Sequence, residues 1–384
     1  MLLSNGRACR FSLLYANREI NLLDMKIKQL NAVIVRIPQK PPIAPYQSRY
    51  RATSEKEAVI IRLETASGLV GWGETPVDWI NKSFQGAPEE LLRRQALGRD
   101  PFDLEGWYAE NTLGSYLASG VEMACWDLIG HATGQPLYKL LGGAVRKKIE
   151  LAACMGIRPY AEAKAIAKQY LEMGFTTLKT KAGRQAEEDL EMVRGIRDGV
   201  GDKLRLRIDP NQGYLPEVAF PLARDLEKHD LEYFEQPMPQ GLIADAARLR
   251  RFTTTPIALN ESVTTPEIVL QILQLHAADV ILPDTYQCSG ILGVKKVAAL
   301  AEAAGVPCVF HCAHDLGLKT AAMLHVVASS PGFTLANDCT YYGLTDDIIT
   351  PLHRIERGVM DVPEGPGLGV VVDEAKVARY RIRA

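Results

Sequence analysis

Seven polar residues end seven apolar runs in this chain at nearly equal intervals. Lys181, Asp209, Glu235, Asn260, Asp284, His311 and Asn337 follow one another at steps of 28, 26, 25, 24, 27 and 26 residues. The runs leading into them, TTLKTK, LRLRID, LEYFEQ, PIALNE, VILPD, PCVFH and FTLAND, have strand lengths. Amphipathic stretches such as EEDLEMVRGIRDGV and GVKKVAALAEAAG lie between them. Strand–helix alternation means parallel β-sheet. Seven or eight such units in roughly 210 residues favour a (β/α) barrel over an open sheet. In a barrel every strand ends at one mouth, where active sites sit. Residues 156 positions apart in sequence would then share a pocket. One or two polar loop starts would carry no weight; seven in register do.

The chain before this rhythm reads differently. AVIIRLETASGLVGWGE alternates apolar residues around a Ser-Gly turn, a hairpin pattern. PPIAPYQSRYRATS is too long and too proline-rich for a simple turn, which suggests a functional loop. The stretch from Ala87 to about Leu141 has helical patterning. Residues 1–24 read as an extension outside the fold, residues 25–147 as a first α+β unit and residues 148–357 as the barrel.

The barrel row carries chemistry. Asp209 and Glu235 each follow apolar runs, and two carboxylates facing one pocket repel unless a cation lies between them. Oxygen ligands without clustered cysteine or histidine favour Mg2+. Asn260 and Glu261 are both candidates for the third ligand. Lys179 and Lys181 leave one face of a strand. A divalent ion and a neighbouring ammonium both disfavour a charged lysine, which is what a general base needs. The remaining ammonium and the metal can stabilise an enolate formed next to a carboxylate. Across the row stand Asp284 and, in CVFHCAHD, His311, His314 and Asp315. A carboxylate holding an imidazole would give a second acid/base group.

Bulk composition narrows the partners. The formal net charge is -2, which offers no footprint for nucleic acid or an anionic membrane. No apolar run reaches the roughly 18 residues of a membrane span. The seven cysteines are scattered without a CxxC pair, as expected for reduced thiols in a cytoplasmic protein.

Taken in order, GWGE, ACWDLIGHATGQPLYKLLGG, LKTK, RIDPNQGY, FEQP and EGPGLGVVVDE resemble the mandelate racemase and muconate lactonizing enzyme group of the enolase superfamily, over residues 25–384. The resemblance implies a TIM-type, modified (β/α)7β barrel beneath an N-terminal α+β capping domain, with residues 358–384 returning to that cap. It implies Lys181 as base, Lys179 as enolate stabiliser, and Asp209, Glu235 and Asn260 or Glu261 as Mg2+ ligands. A lysine or histidine base with Mg2+ is the established chemistry of that superfamily. Muconate-lactonizing and dipeptide-epimerase members carry a lysine at the sixth strand end; Asp284 stands there in this chain. That resembles the mandelate racemase side, with His311 as partner in one register, His314 second, and Asp315 in another register. The glutamate expected at the eighth strand end is absent, leaving Asn337 or Asp338. In the cap loop, Tyr46, Arg49, Tyr50 and Arg51 are candidates for substrate contact, as are Asn211, Asp315 and Asn337 at the mouth.

The expected activity is Mg2+-dependent removal of the proton α to a carboxylate, leading to dehydration of a sugar acid or related hydroxy acid. Racemization or epimerization is the alternative. Cycloisomerization is disfavoured without the sixth-strand lysine, and a metal-binding scaffold without turnover is disfavoured by the intact K-x-K. The expected partner is a small carboxylate substrate, with no nucleic acid or membrane, and the chain is expected to form a homo-oligomer.

Overall fold

The alternation of apolar runs and amphipathic stretches builds a barrel. A computed structural model describes residues 12–15, 18–21, 25–77, 88–110 and 114–382. Of the N-terminal stretch, Ser12–Tyr15 and Arg18–Asn21 pair as a two-stranded antiparallel ribbon.

The cap is an antiparallel sheet of β1 (Ile27–Pro38), β2 (Glu55–Thr65) and β3 (Val70–Pro76). β2 and β3 form the hairpin expected around Ser67-Gly68, where Gly68 takes a positive φ of 84°. Behind the sheet lie α1 (Pro88–Ala96), α2 (Leu104–Glu110) and α3 (Gly114–Thr133). Ile27, Leu30, Val59, Ile61 and Leu63 pack there on Trp107, Leu117, Val121, Ala124 and Leu128, a core separate from that of the barrel. The C-terminal Arg381–Ile382 adds to β1 of this sheet.

The barrel staves are β4 (Lys148–Met155), β5 (Thr177–Lys181), β6 (Arg205–Asp209), β7 (Tyr233–Glu235), β8 (Ile257–Leu259), β9 (Val280–Ile281) and β10 (Asn337–Asp338). They are parallel, in the order β9-β8-β7-β6-β5-β4-β10. Pro307–His311 closes the ring. Val309 N–H donates to Ile281 O (3.0 Å), His311 N–H to Pro283 O (3.0 Å) and Asp338 N–H to Phe310 O (3.1 Å).

Strand parity decides what faces inward, because successive side chains take opposite faces. Leu178, Leu206, Ile208, Phe234, Ile257, Leu259 and Ile281 join the shell of core under the outer helices. Lys179, Arg207 and Tyr233 alternate with them and fill the interior. Arg207 is fully buried over the Tyr233 ring and paired with Glu232. Two helices matter for the site. α4 (Ala186–Val200) buries Met192, Val193, Ile196 and Val200 on one side, with Glu187 and Glu188 in its first turn. α5 (Gly317–Ala328) is buried at every position, between barrel and cap. It is apolar almost all round, as a helix with no solvent face must be.

Candidate active site

Lys179 and Lys181 do leave one face of β5, but at two depths. Lys181 lies in register with Asp209 of β6 and its Nζ donates to that carboxylate. Lys179 lies one pleat deeper, in register with Arg207. Its Nζ is 2.7 Å from Glu235 Oε1, 2.8 Å from Asp338 Oδ2 and 3.2 Å from Asp209 Oδ2. Thr180, between them, turns outward, with Oγ1 3.3 Å from Met192 Sδ of α4. Two residues past the end of the strand comes Gly183, whose φ is 94° and whose missing Cβ would stand 2.2 Å from Pro210 O. That glycine lets the β5 and β6 loops close together.

The electrostatics follow from these contacts. Burial alone would strip Lys179 of its charge. Asp338, Glu235 and Asp209 outweigh burial and hold its pKa well above the ordinary lysine value. Burial also pushes Asp209 up, but Lys181 and Lys179 prevail and keep it below the usual carboxyl range. Among the described residues Glu235 has only Lys179 as an ion-pair partner; burial and then Asp209 push it well up. Burial, then Asp209, raises Glu261 to about 7. This pocket thus gathers four carboxyl groups, of Asp209, Glu235, Glu261 and Asp338, around two lysines.

The surplus has a direction. Glu235 Oε2 and Glu261 Oε2 are buried without a hydrogen-bond partner. Asn211 Nδ2 bridges Asp209 Oδ2 and Glu261 Oε1, at 3.1 Å to each. Unpartnered buried carboxylate oxygens from successive staves fit a hard divalent cation. Asn260 does not join them. Its Nδ2 donates to Leu282 O (2.9 Å) and Gln287 Oε1 (3.1 Å), tying β8 to the next loop.

On the other side, His311 Nδ1 lies 3.0 Å from Asp284 Oδ2, and its Nε2 is buried without a partner. A ring nitrogen of His311 lies within 4.8 Å of carboxylate oxygens of Asp209 and Glu235. Burial, then Lys179, lowers the His311 pKa against the pull of Asp284. Asp284 in turn is gripped by Lys319 of α5, 2.8 Å from Oδ1, and Lys319 also lies 2.8 Å from Asp315 Oδ1. Asp315 therefore backs the site. His314 has a positive φ of 63° and turns to the cap, with Nδ1 3.2 Å from Gln39 Nε2 and its ring edge-on to Tyr46. Burial, then Lys56, pushes His314 well below the ordinary histidine value.

At the eighth stave, Asn337 is held within the barrel wall: Oδ1 accepts from Phe310 N–H (2.8 Å). The neighbouring Asp338 faces Lys179 and Arg207. Over the mouth, Arg49 Nη1 donates to Asn211 O (3.2 Å) and Gln212 O (2.9 Å), and Tyr50 Oη to Asn211 O (3.0 Å). These two residues thus dock the loop on the barrel. Tyr46 is buried beneath the loop, and Arg51 is exposed at its end. Sequence reasoning missed Lys319 altogether, although its spacing of four from Asp315 is a visible helical pairing signal. It also set Asn337 ahead of Asp338, an error of one residue in strand parity.

With this geometry, two family models match the chain. The mandelate racemase/muconate lactonizing enzyme N-terminal domain covers residues 22–142, and the enolase C-terminal domain-like family covers residues 162–376. The chain belongs to the mandelate racemase/muconate lactonizing enzyme group of the enolase superfamily. Among its relatives in that superfamily, the L-Ala-D/L-Glu epimerase of Bacillus subtilis is 31% identical over 362 residues, 90% of this chain and 97% of the relative. Arabinonate dehydratase of Saccharolobus solfataricus is 29% identical over 345 residues, 85% of this chain and 91% of the relative. A dipeptide epimerase of Cytophaga hutchinsonii, solved with Mg and the dipeptide D-Ala-L-Val, superposes with a TM-score of 0.85 at 25% identity, over 92% of this chain and 98% of that one. Enolase-superfamily members of this group are enzymes, and this chain is one of them. No described helix is long and apolar enough to cross a membrane.

Proposed function

We propose that this enzyme removes the proton α to a substrate carboxylate and eliminates water from a sugar acid or related hydroxy acid. The observation that carries this reading is the placement of two different proton-handling groups at one mouth, Lys181 on the second stave and His311 on the seventh. Lys181 takes the α-proton at Nζ. Lys179, wrapped by three carboxylates, stays charged and meets the carboxylate oxygens of the enolate. His311 keeps Nδ1–H on Asp284; in its imidazolium form it gives the Nε2 proton to the hydroxyl that leaves as water, and returns to the neutral Nδ1–H imidazole. Arg49 and Tyr50 hold the cap loop down and exclude bulk water. Asp209, Glu235 and Glu261 would hold Mg2+, which when bound neutralises the surplus carboxylate charge and acts as a Lewis acid on the substrate carboxylate.

A second reading is epimerization. It is favoured by the lowered pKa of the buried His311, because a neutral imidazole is a base for the opposite face of the same carbon. Epimerases and a dehydratase both occur among the relatives.

Incubation with Mg2+ in D2O, using a panel of sugar acids, α-hydroxy acids and dipeptides, separates these readings. Loss of water to a keto acid is the expected result. Deuterium at the α-carbon with inverted configuration and no loss of water would replace dehydration by epimerization. No exchange with any member of the panel would overturn both.

A further inference from the structure

Behind the Asp284–His311 pair stands a buried cation that the chemistry above does not use. Lys319 is in the first turn of α5, with its side chain fully buried. Its Nζ lies 2.8 Å from Asp284 Oδ1, 2.9 Å from Asp284 Oδ2 and 2.8 Å from Asp315 Oδ1, and 5.3 Å from the centre of the Tyr286 ring. No reacting group of the mouth touches it. One ammonium on both oxygens of a carboxylate fixes the plane of that carboxylate. The plane of Asp284 in turn fixes the imidazole that it holds through Nδ1.

The backbone of α5 is itself anchored from the cap. Glu74 Oε1 accepts from Leu316 N–H (2.7 Å) and Glu74 Oε2 from Lys319 N–H (2.9 Å). Lys319 is therefore held at both ends, its N–H by a cap carboxylate and its Nζ by two barrel carboxylates. Asp315 is braced in the same way, its Oδ1 accepting from Ala313 N–H (3.2 Å). The chain of contacts runs from the cap through Glu74, Lys319 and Asp284 to His311.

We propose that Lys319 is a positioning residue, which locks Asp284 so that His311 is held as the Nδ1–H tautomer with Nε2 free for the substrate. The lock passes through Asp284 alone. Asp315 serves as the second counter-charge that lets an ammonium stay buried there. The role in catalysis rests on the reading that His311 handles a proton; the tautomer lock itself does not.

The test therefore begins without substrate. The chain has seven histidines, few enough for long-range nitrogen–proton NMR of the imidazoles, with His311→Asn assigning the signals. In wild type, His311 is expected as a single neutral tautomer protonated at Nδ1. Lys319→Met should give a mixture of tautomers, and Lys319→Arg should restore the single one. If Lys319→Met does not fold, the double variant Asp315→Asn with Lys319→Met removes one charge of each sign and keeps Asp284. A mixed tautomer in that folded variant supports the lock. An unchanged His311 signature in Lys319→Met or in the double variant overturns it.

A second measurement uses whichever panel substrate shows turnover in D2O. Lys319→Met is expected to lower kcat about tenfold with KM unchanged, within the 10–100-fold range seen when a residue that orients an active group is removed. A rise in KM with kcat unchanged would overturn the assignment. Should no substrate turn over in wild type, the proposed function fails, and the NMR result still decides the role of Lys319.

Discussion

The two sides of the mouth handle charge in opposite ways. On the lysine side, basic and acidic groups converge from successive staves on the pocket centre: Lys181 on Asp209, Lys179 on Glu235, Asp209 and Asp338. Two carboxylate oxygens there, on Glu235 and Glu261, have no partner. On the histidine side the charges run outward in a line, from His311 to Asp284 to Lys319 to Asp315. That line leaves a ring nitrogen, Nε2, as its unpartnered end. In the proposed mechanism the converging cluster receives a cation and an anionic substrate, and the line ending in one free nitrogen moves one proton. The difference teaches that the two sides are held by separate means, Lys181 by a neighbour in the pocket and His311 by a chain of contacts behind it.

The largest effect expected from breaking this comparison is on the lysine side. Lys181→Ala should lower α-proton exchange in D2O by about 10³–10⁴-fold, near the upper range for loss of a general base. Exchange within tenfold of wild type would move the base elsewhere. His311→Asn should cost about 10²-fold in water loss, while exchange from the Lys181 face survives. If both rates fall together, the two sides do not act separately. Asp338→Ala leaves Lys179 and Arg207 short of a buried counter-charge, and breaking such a pair costs about 3–5 kcal/mol. Denaturant unfolding should show that loss; an unchanged midpoint would mean that Asp209 and Glu235 suffice for Lys179.

The same two sides differ in how far the sequence reveals them. TLKTK, RLRID and YFE state their parity openly, because Leu178, Leu206, Ile208 and Phe234 mark the outward face and leave the charged residues inward. Lys181, Asp209 and Glu235 could thus be read as neighbours from spacing alone. The histidine side offers no such marker. VILPD has only Val280–Ile281 in regular strand, and HCAHD turns at His314 with a positive φ. Lys319 reaches the site from a helix buried on every face, so its apolar surroundings give no period from which an inward position can be read. The loop residues Arg49 and Tyr50 were legible as polar and not as to partner. Their carbonyl acceptors in the β6 loop lie more than 160 positions away.

Smaller effects test how the cap is tied to the barrel. Glu122 of α3 accepts from Ile291 N–H and Leu292 N–H (2.8 Å each), and burial raises its pKa from 4.5 to about 7. Between those two values the unfolded chain loses this proton and the folded chain keeps it. The folded state then binds more protons, so stability falls as pH rises from about 4.5 to about 7, by at most about 1.4 kcal/mol per unit. Glu122→Gln should flatten the dependence of Tm on pH in that window relative to wild type. Parallel curves would show that Glu122 does not carry it.

The smallest effect is expected at the loop. Arg49 Nη1 and Tyr50 Oη both reach carbonyls beside Asn211, and Asn211 Nδ2 in turn bridges Asp209 and Glu261. Closing the loop therefore steadies the residue that aligns two carboxylates of the lysine side, because the hydrogen bonds of Arg49 and Tyr50 go to the β6 loop and not to Asp284, His311 or Lys319. Arg49→Ala removes two half-buried hydrogen bonds, each worth about 0.5–1.5 kcal/mol, and leaves Tyr50 in place. The expected outcome is a KM raised several-fold with Tm slightly lowered, together with weaker retention of Mg2+ in a dialysis measurement. His311 should keep its imidazole NMR signature in the same variant. A shifted His311 signal would mean that the loop couples both sides, and the separation between the converging cluster and the outward line would fail.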